Sequence, residues 1–171
     1  MKHMLGQYLR SFSVLSLLFG FLAGFSSSCT AQPVPGRVSN GVTISPHERT
    51  IACQSFATER LWVWQKRLSL EDWQISLAMA RTSELRPRTL GNIHWDLEKK
   101  TALIHVMDPA DYRMPFHAML DDMEFTVVHE LIHLGFAPVL ADLQRTDANR
   151  REEEHAVNHM ADALLILQRG K

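Results

Sequence analysis

His129, Glu130 and His133 stand as H-E-x-x-H inside residues 125–136, which read F-T-V-V-H-E-L-I-H-L-G-F. Positions i and i+4 of a helix lie on one face, one turn apart, so a helix here directs both imidazoles at one point. Two converging imidazoles are the beginning of a metal site. Glu130 lies beside them, placed to take a proton from a water that the ion activates. The surrounding Phe125, Val127, Val128, Leu131, Ile132, Leu134 and Phe136 are apolar on nearly every side, the pattern of a buried helix. A buried polar group without a partner costs about 1–3 kcal/mol. The set therefore needs a partner, and a zinc ion supplies one. The plainer reading of the same residues is a satisfied pair of core histidines.

Catalytic zinc usually has three protein ligands and an open position. The candidates for the third are Glu152, Glu153, Glu154, His155 and His159, all on a predicted last helix over residues 151–168. At about 100° per residue, Val157, Met160, Ala161, Leu164 and Leu165 define the buried face of that helix. Glu152, His155 and His159 fall roughly opposite its centre and read as a solvated polar face. Glu153 and Glu154 both fall within about 60° of the buried face. Asn158 lies four residues after Glu154 and can steady a ligand from behind, which favours Glu154 over Glu153.

H-E-L-I-H at 129–133, followed by E-E-H-A-V-N-H-M-A at 153–161, resembles the gluzincin zinc metallopeptidases. The likeness is to the small bacterial zinc-peptidase-like domains that include the ImmA/IrrE type. It covers roughly residues 73–167, and only the last two helices carry a specific motif. The resemblance implies zinc bound by His129, His133 and Glu154, with Glu130 as catalytic base. It further implies a short sheet before the active helix, whose edge strand can receive an extended peptide. The metzincin pattern does not fit, because Gly135 is two residues after His133 and no third His follows at the right distance.

These residues need a frame. Ser45-Pro46-His47-Glu48 reads as a helix start, with Ser as N-cap and Pro at N1. The helix continues to about Leu68, with Ile51, Phe56, Leu61, Trp62 and Trp64 as its apolar surface. Residues 73–81 alternate as a half-buried strand, and 92–97 and 101–107 read as two strands around the turn Glu98-Lys99-Lys100. Pro115 can open the next helix at N1, and Gly135, with Pro138 beyond it, can close it. Residues 137–150 then form a connection. The expected fold is α+β: a minimal zincin-like domain with an N-terminal helix, a three-stranded sheet, the helix of His129 and His133, and a C-terminal helix carrying the third ligand.

For the oxyanion that forms when a carbonyl is attacked, Tyr112, Arg113, His117 and His105 lie near in sequence without a spacing that selects one. Asp121, Asp122 and Glu124 are candidates to orient the two histidines. A peptide or protein substrate follows from the peptidase reading. The alternative is a non-catalytic zinc module that acts as a binding or regulatory protein, which would not need Glu130 as a base.

The 171 residues suffice for one domain with a real core. Formal net charge is −1 without a basic or acidic block, which supports neither nucleic-acid binding nor an electrostatic membrane contact. Lys2, His3 and Arg10 precede an apolar run over residues 12–25, and small residues follow. This is the order of a secretory signal. The expected division is a signal peptide over 1–31, a Pro- and Gly-containing linker over 32–46, and the metallopeptidase domain over 47–171. An extracytoplasmic location follows, with the membrane involved only if Cys29 is lipidated or the N-terminal segment is retained. Cys29 and Cys53 are the two cysteines. If Cys29 is removed or lipidated, Cys53 has no partner in the chain and reads as a small buried hydrophobe.

Overall fold

A computed structural model describes residues 44–170. The expected signal segment, Cys29 and most of the linker lie outside the described residues. The elements in order are α1 (Pro46–Arg67), β1 (Gln74–Ala80), β2 (Gly91–Asp96), β3 (Thr101–Met107), α2 (Phe116–Leu140) and α3 (Asp147–Arg169). The class is α+β, with three helices and a small mixed sheet.

α1 begins as its sequence dictates. Ser45 Oγ accepts from Glu48 N at 3.2 Å and Glu48 Oε2 accepts from Ser45 N at 2.8 Å, a reciprocal cap with Pro46 at the first turn. Its core face is Cys53, Ala57, Leu61 and Trp64. Trp62, expected to share that surface, is 67% exposed. Two residues span about 200° of a helix, so Trp62 and Trp64 cannot both face the core. Ile51 is likewise exposed. Cys53 is fully buried, as expected, and burial pushes its thiol up.

The sheet runs in the order β1-β3-β2, with β3 central. β1 pairs with it in parallel, Gln74 opposite Thr101, and β2 antiparallel, Gly91 opposite Val106. The β2–β3 turn is fixed by Asp96, whose Oδ1 accepts from the N–H groups of Glu98 and Lys99 at 3.1 and 3.0 Å. Ala102, Ile104 and Val106 of β3 point into the core. Among the described residues β2 pairs with β3 alone and forms an edge of the sheet.

α2 is the central helix and packs against α1, α3, β2 and β3. Val127, Val128, Leu131 and Leu134 are fully buried on it, each worth about 1.5–3 kcal/mol of burial. Its ends differ from expectation. Pro115 is the N-cap, not the first helical residue. The helix passes through Gly135 and Pro138 to Leu140. A terminating glycine needs positive φ, and among the described glycines only Gly170 has it. Pro138 sits in the last turn, where it sacrifices a single helical hydrogen bond. α3 begins four residues earlier than predicted because Thr146 Oγ1 accepts from Asn149 N at 3.1 Å as its N-cap, and it ends on Gly170 at φ 65°. Val157, Ala161 and Leu165 form its buried stripe, while Met160 is 42% exposed.

Candidate metal centre

The buried run of α2 carries His129, Glu130 and His133 to the side that faces α3 and the start of β2. The Nε2 atoms of His129 and His133 lie 3.1 Å apart. On α3, Glu154 Oε2 is 3.4 Å from His129 Nε2, and Oε1 is 3.4 Å from His133 Nε2. Tetrahedral ligands at 2.0–2.1 Å from zinc stand about 3.3 Å from one another, so these three separations are those of a ligand set around one small cation. His129, His133 and Glu154 can hold a metal ion.

The residue before Glu154 has a different job. Glu153 Oε1 lies 2.9 Å from His133 Nδ1, and Glu153 Oε2 lies 2.9 Å from Arg145 Nη2. A carboxylate only accepts, so Nδ1 carries the proton and Nε2 keeps its lone pair toward the ligand point. A carboxylate behind a metal-binding imidazole fixes ring and tautomer and raises ligand basicity. Glu153 is thus the support of His133, and Arg145 holds Glu153. Burial, and after it the neighbouring His133, lowers the His129 pKa, which keeps that ring neutral for binding a cation. Among the described residues His129 Nδ1 is buried without a hydrogen-bond partner. Asn158, expected to steady Glu154, lines the same cleft.

Glu130 is 7% exposed and has no protein hydrogen bond among the described residues. Burial, reinforced by the Glu154 charge and opposed by Arg86, pushes its carboxyl up to about 8. A dication at the ligand point would favour the ionised form and offset part of that rise. Gly91 opens β2 directly beside it. A Cβ on Gly91 would stand 2.4 Å from Thr126 Cγ2, 2.6 Å from the His105 carbonyl oxygen and 3.6 Å from Glu130 Oε1. Only glycine lets the edge strand start this close to α2.

The cleft over these groups measures about 580 Å³. Tyr112, Arg113, His117 and His105 do not line it. Tyr112 is buried, and His105 Nδ1 is 2.9 Å from Asn92 Oδ1. Asp121 pairs with Arg169, and Glu124 accepts from Trp64 Nε1 at 3.0 Å and from Arg169 at 3.2 Å. These carboxylates tie the three helices together and do not orient the histidines; Asp122 is likewise absent from the cleft lining. Glu152, His155 and His159 are exposed, as the helical arithmetic predicts. Sequence reasoning missed Gly91, Arg145 and the supporting role of Glu153. Comparison with protein-family models, curated proteins and solved structures finds no match to this chain.

Proposed function

We propose that this chain is an exported zinc-dependent metallopeptidase of the zincin type. The observation that carries the reading is the meeting of the His129 and His133 Nε2 atoms with the Glu154 carboxylate at 3.1–3.4 Å, with Glu130 one residue from the first ligand. The donor set, two imidazoles and a carboxylate, fits zinc in its catalytic form. Three protein donors meet there among the described residues, which leaves the fourth position that catalytic zinc keeps for water, whereas structural zinc sites are filled by four protein ligands. That open position supports an enzyme over the non-catalytic zinc module.

Zinc bound there would act as a Lewis acid, lowering the pKa of water to about 7 and polarising a carbonyl. His129, His133 and Glu154 would hold it, and Glu153, 2.9 Å from His133 Nδ1, would keep His133 in the required tautomer. Glu130, whose carboxylate has no competing hydrogen bond, takes the proton of the attacking water and returns it to the leaving amine. The edge strand β2 offers unpaired backbone groups to an extended peptide. The likeness of 129–133 and 153–161 to gluzincins supports the same assignment, and the charged, apolar, small-residue order of the N-terminus supports export.

The test measures metal content and hydrolysis of a diverse peptide library together. Wild type should carry about one zinc per chain and cleave peptides, and His129→Ala and His133→Ala should lose both. Full zinc retention in both variants would sink the site.

A further inference from the structure

The cleft over the ligand point is rimmed by cations that make no ion pair among the described residues. Arg86 and Arg88 stand on the loop that leads into β2, and Arg150 stands in the first turn of α3. All three are exposed and have no ion-pair partner among the described residues. Elsewhere on the surface Arg81, Lys99 and Lys100 each have a carboxylate partner, while Lys66, Arg113 and Arg151 are exposed, make no ion pair among the described residues and stand outside the cleft. Inside the cleft the carboxylates are committed. Glu153 is held between His133 and Arg145, Glu154 faces the two Nε2 atoms, and Glu130 is buried beneath.

The loop that carries two of these cations is held in shape. Thr89 returns both its N–H and its hydroxyl to the Arg86 carbonyl, at 3.2 and 2.9 Å. Arg88 sits at φ 67°, a left-handed conformation that non-glycine residues rarely adopt. The turn keeps Arg86 and Arg88 at the mouth of the cleft, beside the edge strand. In a chain of formal net charge −1, this is a local concentration of positive charge and not a reflection of overall composition. Unpaired positive charge at the rim of a groove attracts and orients a partner of the other sign.

We propose that the cleft selects acidic polypeptides, with Arg86, Arg88 and Arg150 engaging Asp or Glu side chains of an extended chain laid along β2. The inference deepens the peptidase reading and rests on it for the position of the scissile bond. A polypeptide is favoured over a nucleic-acid strand because the cleft borders a sheet edge, and such an edge pairs with polypeptide backbone.

Binding and cleavage are measured separately on the purified chain. Three fluorescent peptides share one sequence and carry Glu, Gln or Lys on both sides of a central bond. Fluorescence anisotropy with zinc-loaded Glu130→Gln protein reads binding, and kcat/KM of the wild type reads cleavage. The Glu peptide should bind about tenfold tighter than the Gln peptide at low ionic strength, and the Lys peptide should bind least. Added salt should shrink the difference. Replacing Arg86, Arg88 and Arg150 together by Gln should bring it to about twofold, and replacing them by Lys should retain it. The three single Arg→Gln variants should each lower it in part, which keeps the test valid if the triple variant folds poorly. Equal binding of the three peptides, or a preference that survives the Gln substitutions, overturns the proposal. So does displacement of the Glu peptide by an equally charged oligonucleotide at lower concentration. Charge-selective binding without cleavage by the wild type would remove the peptidase reading and leave acidic selection standing. Cleavage without charge preference would do the reverse.

Discussion

Glu153 Oε1 stands 2.9 Å from His133 Nδ1, so in the proposed site it supports a histidine from behind, while its neighbour Glu154 is the carboxylate that would meet the metal. Adjacent helical residues point about 100° apart, and here the two carboxylates reach the same imidazole from its two nitrogens. Glu154→Gln removes a ligand, whereas Glu153→Ala removes the group behind one. Glu153→Ala should weaken zinc binding by about 10–100-fold, and Glu154→Gln should weaken it further. Chelator competition on the two variants measures this. Equal losses, or a larger loss at Glu153, would reverse the two roles.

Gly91 makes a second prediction. The neighbours that an added Cβ would strike include the backbone oxygen of His105 at 2.6 Å, which cannot swing aside as a side chain can. Gly91→Ala should therefore strain the pairing of β2 with β3, press β2 against Thr126 of α2 at 2.4 Å, and destabilise the domain by about 1–3 kcal/mol, measured by urea unfolding. It should also lower peptidase activity, because the strained strand borders Glu130. A change below about 0.5 kcal/mol, the range of neutral surface substitutions, would show that the close approach has no consequence.

Asp111 predicts a pH dependence. The Arg81 guanidinium, then the Thr82 N–H, hold its carboxyl well below the ordinary value of 3.8. A depressed folded pKa contributes stability that is fully present above the ordinary value. That contribution is lost progressively as pH falls below it. Wild-type stability should therefore fall more steeply than that of Asp111→Asn below about pH 4. Denaturant midpoints of both proteins across pH 2–7 give the comparison, and parallel curves would remove Asp111 from the acid response.

Much of the site was legible in the sequence because it depends on helical spacing. His129 and His133 are one turn apart on a segment apolar on nearly all sides, and the 100° arithmetic placed Glu152, His155 and His159 in solvent. What the sequence could not show depends on neighbours distant in the chain. Gly91 reads as an ordinary strand boundary until the atoms around its missing Cβ are known. Arg145 lies in a connection whose path decides whether it meets Glu153. The end of α2 was misplaced because Gly135 followed by Pro138 imitates a stop. A Cβ added at Gly135 would meet nothing within 4 Å among the described residues, so the position does not require glycine, and its backbone remains helical. Trp62 and Trp64 were read together as core from their chemistry alone, although their spacing separates them.

The central claim is that Glu130 takes the proton of the attacking water beside a zinc held by His129, His133 and Glu154. Its most direct test is the rate of peptide cleavage per bound zinc in Glu130→Gln. The amide cannot accept the proton, and Glu130 is not a ligand. The variant should therefore keep about one zinc per chain and lose turnover by about 10²–10⁴-fold. Undiminished cleavage per bound zinc in Glu130→Gln would contradict the account.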